Sequence, residues 1–125
     1  MTLGPSEKAI LNDTLVEVSA LPKTLAYRQN TGMGWQGRRL RVQVGTTITV
    51  KPGMMILADA RPVHFGLVGS GDIAGASDGR PFQIETKTLT GPQREQQRNF
   101  ETAWVKAGGI YILARSVEDT LRVLG

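Results

Sequence analysis

With 125 residues, 40% of them hydrophobic and 21% charged, the chain has the length and make-up of one globular domain that can bury a core. It has no cysteine and a single histidine, His64, which excludes a disulfide framework, a thiolate zinc site and a cysteine nucleophile and leaves little for a Ser-His-Asp triad. The net charge of +4 suits an anionic partner; the amino terminus lacks a signal-peptide pattern and apolar runs such as Met54–Ala58 are far too short to cross a bilayer, so the expectation is a soluble, cytoplasmic protein with no membrane partner.

In chain order, Ser6 is a good N-cap for a helix to about Ala20, whose buried stripe is Ile10, Leu11, Thr14, Leu15 and Val18. Glu7 extends that stripe by one turn, which leaves two readings open: an acid on the buried face able to reach a metal, or a first-turn complement to the helix dipole. Leu25–Asn30 reads as a strand, followed by a glycine-rich turn at Thr31–Gly34 and a half-buried strand at Arg39–Val44, in which Arg39, Arg41 and Gln43 alternate with Leu40, Val42 and Val44. Thr47–Val50 and Met54–Leu57 read as β-strands turned by Lys51-Pro52-Gly53, and Val63–Val68 as another strand leading into Gly69-Ser70-Gly71, where the backbone can pass close to a ligand or another strand.

Gly71–Lys87, GDIAGASDGRPFQIETK, reads as a β-hairpin with Asp78-Gly79 as its two-residue loop. That register sets Ser77 opposite Arg80, Ile73 opposite Ile84 and Asp72 opposite Glu85, with Lys87 on the face of Glu85. Directly opposed residues hold their Cβ atoms about 4.5–5.5 Å apart, and like charges so placed repel. A positive group is needed between them, either Lys87 or a divalent cation that takes carboxylate oxygens. Acid–lysine faces also occur on solvated sheets without function.

Beyond Lys87, Gly91-Pro92 opens a helix, Pro92 in its first turn, running to about Ala107 with Phe100, Ala103, Trp104 and Ala107 as its apolar stripe and Gly108-Gly109 as its stop. The stripe projects back to Gln96/Gln97 and Gln93, amides able to hold a water or a phosphate oxygen. Ile110–Ala114 is a short buried strand, and Ser116 with Asp119 caps a last helix packing Val117, Leu121 and Leu124. The basic charge is unevenly spread. From Val18 to Ala58 there is no acid, while Lys23, Arg28, Arg38, Arg39, Arg41 and Lys51 fall there with Tyr27 and Trp35 among them, a stretch read either as a solvated face or as phosphate-contacting.

GDIAG, the IETK strand thirteen residues on from Asp72, Gln97 ten residues after Lys87, and AGG-IYILARSVEDTL resemble the VRR-NUC nucleases of the PD-(D/E)XK phosphodiesterase superfamily. YRQNTG is similar to the family's early strand and turn, and GLVGSGD to its approach to the catalytic acid; the whole is close to the stand-alone, phage-type version. The resemblance implies an α/β (α+β), restriction-endonuclease-like core: a mixed sheet flanked by helices, in the order α-β-β-β-α-β-α, with an extra β-hairpin in the first half. It implies that Asp72 and Glu85 ligate magnesium or manganese with the Thr86 carbonyl, that Lys87 orients or deprotonates the attacking water, that Gln97 is the family's helix glutamine, and that Glu7 takes the place of the first-helix acid. The function implied is hydrolysis of DNA, branched (Holliday junctions) or duplex, by a homodimer; the acid-free basic stretch, with Arg28, Arg38, Arg39, Arg41 and Lys51, would then neutralise phosphates beyond the scissile one. Gly71 stands where many superfamily members have proline, and Met33–Pro62 fits the family pattern poorly. The alternatives are a non-catalytic nucleic-acid-binding module on the same fold and a structural component with an incidental acid–lysine hairpin.

Overall fold

The computed structural model describes residues 4–30, 32–40 and 43–125. Its elements are α1 (Glu7–Ser19), β1 (Thr24–Arg28), β2 (Met33–Arg39), β3 (Leu57–His64), β4 (Ile73–Ser77), β5 (Arg80–Thr86), α2 (Glu95–Lys106), β6 (Ile110–Ala114) and α3 (Val117–Leu124). They divide into two compact units, Met1–Thr31 with Gly66–Gly125, and Gly32–Phe65.

The first unit is a mixed four-stranded sheet with helices packed against it. Its strand order is β1-β4-β5-β6, antiparallel except for the parallel β5–β6 pair. The β4–β5 hairpin forms in the register expected from its loop, Ser77 opposite Arg80 and Ile73 opposite Ile84. Asp78 and Gly79 both take positive φ, the backbone that a two-residue loop between right-twisted strands requires. Ile73, Ile84 and Ile112 fall in line across three strands and, with Phe82, Leu11, Val18 and Ala114, make the core. Fully burying one such isoleucine stabilises the fold by about 1.5–3 kcal/mol. Alternation sends Gln83 and Glu85 to the opposite face of β5, so this strand presents the core on one side and the acid on the other.

Helix α1 starts where expected. The Ser6 hydroxyl accepts the Ala9 N–H at 3.1 Å, and Ile10, Leu11, Thr14 and Val18 are buried while Glu7 is exposed. Helix α2 starts at Glu95 with Arg94 as N-cap, so Pro92 stands outside it, three residues before the first turn. Of its expected stripe, Phe100 is buried and Trp104 half-buried, stacked at 5.7 Å, whereas Ala103 and Ala107 are exposed; Trp104 Nε1 donates to the Ile110 carbonyl at 3.0 Å. Gly108, at φ 100, ends the helix as expected. In α3 the Ser116 side chain makes no cap bond, and Asp119 accepts the Arg115 N–H instead. Thr120 is the buried residue there, with Leu124 packed against the core.

The second unit departs most from the sequence reading. Its sheet is an antiparallel pair of β2 and β3, irregular between Gln36 and Arg38. Met33 and Gly34, expected in a turn, begin β2, and β2 ends at Arg39 where the alternating strand was expected to begin. Thr47–Val50 and Met54–Ile56 form no strand, although the expected Lys51–Met54 turn is present, with the Met54 N–H donating to the Lys51 carbonyl at 3.1 Å. The strand placed at Val63–Val68 is instead Leu57–His64, running through Pro62. The reason is partnership. Arg41 and Val42 of the expected Arg39–Val44 strand lie outside the described residues and its Leu40 and Val44 are exposed, whereas proline is tolerated in a two-stranded sheet that leaves one edge of each strand unpaired.

Gly69-Ser70-Gly71 brings the chain to β4 along a crowded path. A Cβ on Gly69, whose φ is +84, would collide with the Gln96 carbonyl in α2, and one on Gly71 would sit 2.8–3.0 Å from the Ile84 main chain. Gly71→Ala is expected to destabilise the protein by about 1–3 kcal/mol through overpacking against rigid backbone, read as a fall of several degrees in melting midpoint. An unchanged midpoint would show that this approach is looser than the geometry indicates.

Candidate functional site

The hairpin and two helices bring their polar residues to one cavity of about 400 Å³, lined by Glu7 of α1, Ser70, Asp72, Glu85, Lys87, and by Arg94, Gln96 and Gln97 at the start of α2. Glu7, Asp72 and Glu85 each offer a carboxylate oxygen within 4.8 Å of the others, from an exposed, a half-buried and a buried side chain respectively. Glu7 therefore reaches the acids without lying on the buried face of its helix, the placement its spacing had suggested. Its first-turn position lets it point along the helix end towards the hairpin.

Asp72 and Glu85 sit just beyond the Ile73–Ile84 pair, but they are held differently. Asp72 Oδ2 accepts both the N–H and the hydroxyl of Thr86, each at 2.9 Å. The carboxylate thus ends the β4–β5 ladder in place of a backbone carbonyl. Glu85 is buried on the sheet face, where Gln97 Nε2 donates to Oε1 at 2.7 Å. Gln97 in turn accepts the Arg94 N–H at 2.8 Å, so one amide ties the helix start to the strand carboxylate. Lys87 Nζ lies 3.9 Å from Glu85 Oε1, and both side chains are over nine-tenths buried. Lysine is thus the positive group expected beside the acids, with room in the cavity for a cation as well.

Burial pushes the Glu85 carboxyl up to about 8. The neighbouring Asp72 charge adds to the rise, Lys87 opposes it, and Glu7 and a hydrogen bond to Asp72 raise it further. Burial likewise pushes Tyr111 up to about 12, so its phenol stays protonated; Gln93 donates to it at 3.3 Å and to Glu101 at 2.9 Å. Gln93 is therefore committed to a protein network.

The expected basic residues are divided between the two units. Arg28 is exposed on β1 of the first unit, while Arg38 and Arg39 on β2 and Lys51 in the following loop belong to the second. Arg38 lies 3.9 Å from Asp59 in a solvent-exposed pair. Arg41 lies outside the described residues. The residue that sequence reasoning missed is Arg94, the second cation of the cavity. Its signal was present: it stands three residues before Gln97, one helical turn away. No protein-family model and no curated protein matches the chain.

The Glu85 shift fixes a pH dependence for the metal-free protein. Its folded value of about 8 exceeds the ordinary 4.5, so between these values the folded state binds more protons than the unfolded state. Stability is therefore highest below the lower value and is lost as pH rises through the upper one. In chelator, Glu85→Gln removes this loss, and melting midpoints of variant and wild type should separate in the variant's favour between about pH 5 and 9. Parallel curves would refute the assignment.

Proposed function

We propose that this chain is a magnesium- or manganese-dependent endodeoxyribonuclease that hydrolyses phosphodiester bonds of branched DNA. In this reading it has a restriction-endonuclease-like fold of the VRR-NUC type and works as a homodimer in the cytoplasm. The observation that carries the reading is the convergence of Glu7, Asp72 and Glu85 beside a buried Lys87. Hard oxygen donors from three carboxylates fit a divalent ion that keeps several of its own waters, and the cavity has room for them. The Thr86 carbonyl, between Glu85 and Lys87 in the chain, is the fourth donor assigned to it.

When bound, such an ion supplies charge neutralisation on the phosphate and a water nucleophilic at neutral pH. The remaining work falls to the chain. Gln97 fixes the rotamer of Glu85, and Thr86 fixes that of Asp72, so the two carboxylates are positioned by groups from α2 and β5 before any ligand arrives. Lys87 orients the attacking water and holds its developing charge close to the Glu85 oxygen. Arg94, at the rim of the same cavity, binds a non-bridging phosphate oxygen with its planar fork of donors. Arg28, Arg38, Arg39, Arg41 and Lys51 contact phosphates beyond the scissile one.

The direct test is to incubate the purified protein with labelled four-way junctions, flaps and duplexes, in manganese, in magnesium and in chelator. Metal-dependent cleavage of branched substrates is expected. Binding without cleavage would favour the non-catalytic binding module, and neither would leave the proposal without support. Lys87→Ala should lower turnover by at least about 100-fold, the scale of one proton-transfer or positioning group, with DNA affinity within a few-fold of wild type. Wild-type turnover by that variant in magnesium would remove Lys87 from the mechanism.

A calorimetric or fluorescence melt provides the second check. A ligand that binds only the folded state stabilises it by about 2.7 kcal/mol at 100 times its Kd. Manganese should therefore raise the wild-type midpoint by several degrees and leave Asp72→Asn nearly unmoved. In chelator the asparagine variant keeps an oxygen for the two Thr86 donors and sheds a charge beside Glu85, so its midpoint should equal or exceed the wild type's. A wild-type midpoint indifferent to manganese counts against the metal site.

A further inference from the structure

The second unit, Gly32–Phe65, holds Arg38, Arg39, Arg41, Lys51 and Arg61 against the single acid Asp59. Five cations and one acid give +4, which equals the net charge of the whole chain, so the ten cations and ten acids of the first unit cancel. The same small unit carries a groove of about 550 Å³ lined by Trp35, Gln36, Gly37, Met55, Leu57, Val63 and Phe65. Trp35 is 61% exposed and Phe65 45% exposed. Phe65 lies across Gly34, where an added Cβ would approach its ring edge to 2.8 Å. The β2–β3 register places Arg61 opposite Gln36 and Arg39 opposite Leu57, so each of these cations is paired across the strands with a residue of the groove.

We infer that this unit grips unpaired nucleotides: Trp35 and Phe65 stack on bases while Arg39 and Arg61 neutralise the adjoining phosphates. Bare aromatic faces in a cationic setting are the chemistry that holds single strands without sequence preference. A regular duplex would satisfy the arginines but offers no free base face to the groove. A second copy of the chain would satisfy the groove but, in a two-fold contact, would set one +4 patch against its twin. Charge complementarity thus favours the polyanion. The inference deepens the function proposed above, on which it rests for the choice of DNA, by locating the part of a branched substrate that this unit holds.

The test uses the full chain in chelator, so that cleavage plays no part, with oligo(dT) and a duplex of equal length as probes. The chain has two tryptophans, and Trp104→Phe leaves Trp35 as the sole emitter under tryptophan-selective excitation. Oligo(dT) should quench and saturate its emission. Independently, Trp35→Leu should weaken oligo(dT) binding by about 5- to 150-fold, the range for losing one base stack, with duplex binding changed less than about two-fold. Unquenched emission at saturation, or equal losses for both probes, would overturn the inference. So would sedimentation showing a wild-type dimer that Trp35→Leu dissociates, because the groove would then belong to a second copy. Trp35-dependent oligo(dT) binding by a protein that cleaves nothing would uphold this inference while sinking the nuclease, so the two failures are distinguishable.

Discussion

A buried carboxyl at Glu85 is the constraint to which the first unit is built. Taking a carboxylate out of water costs several kcal/mol even after the protein relaxes, and here two further acids stand within 4.8 Å. Three things offset that cost in the chain itself and the proposed function would add a fourth: the Lys87 ammonium, the Gln97 amide, a retained proton, and a divalent ion in place of the proton. The first comes from the residue just past β5 and the second from α2, so the relative placement of β5 and the start of α2 is tied to this one group. The last two exclude one another. A cation entering the cavity would displace the proton that burial otherwise keeps on Glu85, which makes occupancy and pH two views of a single equilibrium.

Asp72 is not the symmetrical partner that simple opposition across a hairpin suggests. Its Oδ2 takes two donors from Thr86 and finishes a ladder that would otherwise leave a buried N–H unpaired. Removing the side chain altogether would therefore damage the sheet as well as the site, whereas exchanging it for asparagine leaves an acceptor in place. The glycines before it serve the same end. The chain reaches Asp72 by passing against the main chain of α2 at Gly69 and of β5 at Gly71, and neither approach admits a Cβ.

What the sequence made legible follows the range of the interactions involved. Asp78-Gly79 dictates its own loop, and the loop dictates the register, so Ile73–Ile84 pairing and the meeting of Asp72 with Glu85 could be read from local chemistry. Ser6 and Gly108 likewise mark the ends of α1 and α2 through groups a few residues apart. The stretch from Gly32 to Phe65 could not be read this way. Its alternation at Arg39–Val44 is as regular as that of a true strand, but no apolar layer covers Leu40 or Val44, and the pairing instead joins Met33–Arg39 to a segment containing Pro62. The start of α2 was misplaced because Pro92 is a good first-turn residue, while the cap that forms depends on Gln97 reaching Arg94 and Glu85 together, a contact between distant parts of the chain.

The division of charge between the units bears on how an anionic substrate would be accommodated. A phosphodiester approaching three carboxylates is repelled unless something positive precedes it, and within the cavity only Lys87 and Arg94 are positive. Lys87 is already engaged with Glu85, so the local balance stays unfavourable until protons or a cation fill the acid cluster. Attraction at longer range must then come from the unit that holds the whole net charge, and that attraction fades beyond a Debye length of about 8 Å at physiological salt. The two units accordingly answer to different variables. Ionic strength acts on the basic unit, whose described cations Arg38, Arg39, Lys51 and Arg61 are solvent-exposed, while pH acts on Glu85, which burial shields from salt. On the proposed function, a chain arranged this way would hold DNA without acting on it until a divalent ion took the place of the proton at Glu85.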